Sequence, residues 1–235
     1  MTDYLLFIDT EASALPVKWT LPLTADSNWP HIVQVSWIIY DKNRSLIKKE
    51  DHYIKSDGFT ITQSAIKTHG LTPGFLAAHG GNRNKILQLL CNDLLTYQPM
   101  IIGHFMRLDY YVLGADLYRS KLANPLTTLP VFCTMVATKH LVWNPLPRQL
   151  RLGELYTYLF GKDLQGQHNA LVDAQATADC FFELLDRHEI NESLIKTQTD
   201  AFEPFRDPAA KNKGCILPVL ITAVLLLFIL MIWIL

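Results

Sequence analysis

"YLLFIDTEAS" (residues 4–13) sets an apolar run of the kind that forms a buried strand against two acids, Asp9 and Glu11, one residue apart. Side chains at i and i+2 of a strand share a face, so the two carboxylates point the same way and Thr10 points the other way. Burying a carboxylate is costly unless it is paired or bound to a metal. For a bare pair of acids, two solvated groups at a fraying strand end fit as well as a cation site. The rest of the chain decides between them.

Two further acids stand in similar settings. Asp109 opens a helical pattern after the short buried strand "MIIGH" (100–104), and Asp173 lies on the long helical pattern "ALVDAQATADCFFELLDRH" (170–188). His168 comes five residues before Asp173, in the polar stretch "GQHN". His104 stands at the same distance from Asp109, so the spacing alone does not discriminate. His104 ends a buried strand, which suits a structural or substrate-lining residue. Four carboxylates from three segments can hold two Mg²⁺ or Mn²⁺ ions, because hard divalent cations prefer oxygen ligands. Two such ions about 4 Å apart stabilise both the attacking and the leaving oxygen of an in-line phosphoryl displacement. An imidazole beside them can take the proton of an attacking water.

Around these motifs the pattern alternates. "HIVQVSWIIYD" (31–41) and "SLIKKEDHYIK" (45–55) are β-rich runs separated by "KNR", which predicts a hairpin. Helices are predicted over 61–69, 84–97, 108–121, 150–161 with a stop at Gly161, and 170–188; short strands are predicted over 100–104 and 129–134. A three-strand antiparallel start followed by alternating helices and strands implies an α/β fold, a mixed sheet covered by helices.

The chain has 235 residues, with 21 Lys+Arg against 22 Asp+Glu. That balance excludes a broad basic field for non-specific nucleic-acid binding; contacts of that kind would have to be local. The cysteines, Cys91, Cys133, Cys180 and Cys215, form no close pair, which argues against a disulfide framework. Residues 191–214 are polar with two prolines and read as a tether with room for one short helix, so the domains are expected at 1–190, 191–214 and 215–235. "CILPVLITAVLLLFILMIWIL" (215–235) carries no charge. From Ile216 its 20 residues span about 30 Å as a helix, the thickness of a hydrocarbon core. It is expected to be a transmembrane anchor, with Lys211 and Lys213 keeping the preceding chain on the cytoplasmic side.

With the motifs in order, the chain resembles the DEDD-type 3′–5′ exonucleases of the ribonuclease H-like superfamily, in the subgroup with a histidine. The first motif is "FIDTE", the second "IIGHFMRLDYYVL", the third "HNALVDA"; "HIVQVSW", "THGLT", "CTM" and "LRLGELYTYLFG" also match. The resemblance covers roughly residues 4–187. It implies a ribonuclease H-like mixed five-stranded sheet flanked by helices. It implies that Asp9, Glu11, Asp109 and Asp173 ligate two Mg²⁺ or Mn²⁺ ions and that His168 is the general base. Leu15 is where relatives wedge an apolar side chain against the terminal base. Thr10, Ala12, His104 and Phe105 are the further expected substrate contacts, and Arg148 in "WNPLPRQLR" (143–151) is a candidate phosphate contact. Trp19 and Trp29, in the long connection 14–30, are candidates for stacking on bases or for packing on the domain. Two places depart from the pattern. Ala12, Ser13 and Ala14 replace the usual Thr and Gly, and Phe105 and Leu108 replace the Asn and Phe expected before the second acid.

The expected function is a membrane-tethered 3′–5′ exonuclease that releases nucleoside 5′-monophosphates from nucleic acid with a free 3′ end, DNA favoured over RNA. Two alternatives remain. One is a metal-dependent phosphodiesterase for short oligonucleotides or cyclic nucleotides; the other is a non-catalytic nucleic-acid-binding adaptor, which loss of an acid or of His168 would have signalled. The oligomeric state is left open, a homodimer included.

Overall fold

The computed structural model describes residues 2–141 and 148–202. The anchor expected at 215–235 lies outside the described residues. Among the described residues no helix is long and apolar enough to cross a membrane.

Five strands form one mixed sheet: β1 (Tyr4–Ala12), β2 (Ile32–Asp41), β3 (Leu46–Tyr53), β4 (Met100–Gly103) and β5 (Val131–Cys133), in the order β3-β2-β1-β4-β5. β1 pairs antiparallel with β2 and parallel with β4; β2 and β3 form the expected hairpin, and β4 pairs parallel with β5. β1 is therefore central. Its run Leu5–Ile8 is buried on both faces, which is why it reads as continuously apolar rather than alternating.

Helices follow as α1 (Gln63–His69), α2 (Pro73–His79), α3 (Arg83–Tyr97), α4 (Met106–Arg119), α5 (Thr134–Ala137), α6 (Leu152–Phe160), α7 (Ala170–Asp186) and α8 (Glu192–Ala201). Their ends obey local chemistry. Thr62 caps α1 by accepting the Ala65 N–H, Asn169 caps α7 by accepting from Leu171 and Val172, and Gly161 ends α6 in the left-handed conformation at φ 65°. On one face of the sheet Phe7 meets Phe181 and Phe182 of α7 at 5.5 and 5.4 Å. On the other face Trp37, the partner of Ile8 across the β1–β2 ladder, donates its Nε1–H to Asp93 of α3 at 2.8 Å.

Residues 191–202 differ from the expected tether. α8 docks on β5, with Ile195 only 5% exposed and in the same apolar cluster as Phe132 and Leu184. Gln198 reinforces the contact by accepting the Cys133 N–H at 2.6 Å and donating to the Cys133 carbonyl at 3.2 Å. One amide side chain thus satisfies both backbone groups at the sheet's edge, as a further strand would. The compact unit runs to Phe202.

Candidate active site

The cleft lies at the C-terminal end of β1, encloses about 680 Å³, and is lined by Asp9, Glu11, Asp109, Asp173 and His168 among others. Strand alternation places Asp9 on the face of Phe7, toward α7, which carries Asp173 in its first turn. Thr10, on the opposite face, meets α4. There its backbone N–H and its hydroxyl both donate to Asp109 Oδ1, at 2.9 and 2.7 Å. Thr10, expected to contact substrate, is buried among the residues that line the cleft and also holds an acid.

Two short segments enter their helices through positive φ. Phe105 precedes α4 at φ 61° and His168 precedes the cap of α7 at φ 63°. A non-glycine residue rarely adopts this conformation, and such sites cluster where function holds the backbone in place. At His168 the turn lets its backbone N–H donate to Asp173 Oδ2 at 2.9 Å. The helix start is anchored from the sheet as well. Gln34 of β2, fully buried, accepts the Ala170 N–H at 3.2 Å and donates to Asp51 at 2.8 Å.

The acids are held in a state that resists ionisation. Burial, then repulsion from Asp109, Asp173 and Glu11, raises Asp9 well above the ordinary carboxylate range. Burial and the same kind of repulsion, from Asp173 and Asp109, push Glu11 up to about 8. Burial raises Asp109 to about 7 against the two Thr10 bonds, and Asp173 to about 6 against the His168 N–H. One donor atom each from Glu11, His168 and Asp173 lie within 4.8 Å of one another. Asp173 Oδ1 is buried with no hydrogen-bond partner. A cluster of oxygen donors that repel one another, one of them unsatisfied, fits a divalent cation.

The remaining expected residues divide. Ala12, Leu15 and Phe105 line the cleft, and Leu15 is 73% exposed, free to lie against a ligand. His104 also lines it, yet both ring nitrogens are engaged. Nε2 donates to the Leu150 carbonyl at 3.0 Å, Nδ1 faces the Thr134 hydroxyl at 2.9 Å, and burial pushes the imidazole down to about 4. It is a neutral brace between β4, α5 and the entry to α6, rather than a free contact. Arg148 is turned to Glu154, with bonds of 2.7 and 2.6 Å, and is not part of the cleft wall. Trp29 is buried, so of the two tryptophans only Trp19 retains exposed surface. His69 was not singled out from the sequence. It lines the cleft, and its Nδ1 accepts the Leu71 N–H at 3.0 Å, which leaves the proton on Nε2. Its sequence signal was the stretch "THGLT", in which it is the last residue of α1.

Residues 6–181 match the family model described as exonuclease of the RNase T type. The chain belongs to this exonuclease family. Among solved structures, the zinc-bound complex of Escherichia coli exonuclease I with single-stranded DNA is similar at 20% identity and a TM-score of 0.67, covering 83% of this chain and 42% of that one. The E. coli exonuclease I complex with a dA16 oligonucleotide gives 19%, 0.67, 83% and 43%. A product-bound exonuclease I gives 18%, 0.64, 84% and 46%. The exonuclease chain thus spans under half the length of these structures. No curated protein sequence matches it.

Proposed function

We propose that the exonuclease domain hydrolyses nucleic acid from the 3′ end, with single-stranded DNA favoured, and releases nucleoside 5′-monophosphates. The observation that carries this reading is the convergence of four carboxylates from β1, α4 and α7 on one cleft with His168 at its rim. Asp9, Glu11, Asp109 and Asp173 would hold two divalent ions, Mg²⁺ or Mn²⁺. When bound, such ions stabilise the attacking and leaving oxygens of an in-line displacement. His168 takes the proton of the attacking water on an imidazole nitrogen, and its solvent exposure lets that proton leave. Leu15 and Phe105 hold the terminal base by apolar contact. Thr10 and the His168 backbone keep Asp109 and Asp173 aimed. Residues 215–235 would tether the domain to a membrane, facing the cytoplasm.

The test uses the full chain in detergent with 5′-labelled single-stranded DNA and RNA of equal sequence, in Mg²⁺, Mn²⁺ or EDTA. A metal-dependent ladder shortening from the 3′ end, absent in Asp9→Ala, supports the reading; no cleavage of either polymer overturns it. A second reading, a phosphodiesterase for short oligonucleotides or cyclic nucleotides, has one observation in its favour. No lysine or arginine is among the described residues lining the cleft. Faster cleavage of a dinucleotide than of a twenty-mer would select it.

A further inference from the structure

We propose that Trp19 and Arg107 form a ledge, continuous with Phe105 of the cleft wall, that binds the bases and phosphate 5′ of the terminal nucleotide, and so selects single-stranded nucleic acid over isolated nucleotides. This rests on the exonuclease reading above.

Phe105 belongs to the cleft wall and is 37% exposed. Its ring meets Trp19 edge-on at 5.9 Å, so the aromatic surface continues from the cleft outward. Trp19 is braced by Trp29 at 6.3 Å and Tyr111 at 6.2 Å, both nearly perpendicular to it. Trp29 in turn stacks on Tyr111 at 4.8 Å and donates its Nε1–H to the Pro22 carbonyl. The buried tryptophan is the foundation and the half-exposed one is the surface.

Arg107 supplies the charge. Its guanidinium lies 4.9 Å from the Trp19 ring centre and 5.8 Å from that of Tyr111. The side chain is exposed, and none of the ion pairs among the described residues involves it. An arginine on an aromatic ring offers a flat stacking plane together with N–H donors for a phosphate. Arg107 and Asp109 share the first turn of α4, so this cation keeps a fixed distance from the acids. A strand whose 3′ end enters the cleft leaves it 5′-ward. The ledge continuous with Phe105 carries the two features that such a strand needs, aromatic faces for bases and a cation for phosphate.

The alternative is that the Arg107–Trp19 contact only packs the 14–30 connection onto α4. Two measurements on the full chain separate these. The first is kcat/KM with Mg²⁺ on a dinucleotide and on a twelve-mer of thymidylate, for wild type, Trp19→Leu, Arg107→Ala and Arg107→Lys. Each of Trp19→Leu and Arg107→Ala should lower the twelve-mer to dinucleotide ratio about tenfold, through KM, since one stacked base contributes that order of affinity. Arg107→Lys should recover only part. An unchanged ratio overturns the ledge. The second is anisotropy of the labelled twelve-mer in Ca²⁺, which needs no turnover. Arg107→Ala should weaken binding and flatten the slope of log K against log salt by about 0.7, one phosphate contact on a single strand. Equal binding by all variants, or none by the wild type, overturns the ledge. Should the wild type cleave neither substrate, the exonuclease reading fails, and the anisotropy alone decides whether the ledge binds.

Discussion

Thr10 holds Asp109 through two bonds to a single oxygen, one from its backbone N–H and one from its hydroxyl. The residue between the two acids of β1 thus fixes a third acid contributed from the other face of the sheet.

Thr10→Val keeps the branched shape and removes one of those bonds. Both bonds favour the ionised carboxylate, so Asp109 should rise further above about 7. A divalent cation must then displace a more tightly held proton. Apparent Mn²⁺ affinity at neutral pH should fall about tenfold, with Thr10→Ser restoring it, as read by thermal-shift titration. An unchanged midpoint would show that Thr10 does not set the position of Asp109.

The raised acids make the metal-free protein pH-sensitive. In the unfolded chain these carboxyls release their protons near the ordinary value of about 4. In the folded chain Asp173, Asp109 and Glu11 hold theirs to about 6, 7 and 8. Between those limits the folded state binds more protons, so stability is fully present below about pH 4 and is lost as pH rises toward 8. Melting in EDTA should fall across that window. Mg²⁺ or Mn²⁺ should raise the melting temperature far more at pH 8 than at pH 5; an equal rise at both would contradict the assignment.

His168 lies close enough to Glu11 and Asp173 to share a cation with them, so base and ligand roles must be separated. As a base, His168→Gln should lower kcat by about a hundredfold or more while the Mn²⁺ midpoint moves little. A midpoint weakened by tenfold would instead make His168 a ligand.

Gln34→Met should act at a distance from the cleft. It leaves the buried Ala170 N–H without its partner and takes one donor from the exposed Asp51. The expected cost is about 1–3 kcal/mol in denaturant melts, with kcat falling because the start of α7 carries Asp173.

Ile195→Ala should cost about 2–4 kcal/mol if α8 belongs to the core. A chain ending at residue 190 should accordingly melt well below one ending at 202. Equal melting would return residues 191–202 to the status of a tether.

Much of this architecture was legible because apolar periodicity and buried-strand runs are local signals. β1, the β2–β3 hairpin and α7 appear where the pattern puts them, and the acids at strand and helix starts follow. What the sequence hid was partnership. Alternation told which face Thr10 occupies and not that α4 packs there. Arg148 lies six residues before Glu154, and that nearby carboxylate satisfies it before any phosphate. His104 read as structural or substrate-lining, but its partners, Thr134 and Leu150, are thirty and forty-six residues away and could not be named. The tether had room for one short helix, but its docking was not legible; two apolar residues and one amide seat α8.

The central strand contributes its acids at positions 9 and 11, while the last acid arrives at 173. A chain still being made, with α6 complete and α7 not yet out of the ribosome, carries three of the four carboxylates and nothing to close the set. On the proposed mechanism, hydrolysis would be withheld from any chain that has not yet reached residue 173, and a nuclease built this way would be harmless until the helix that bears its final acid has docked.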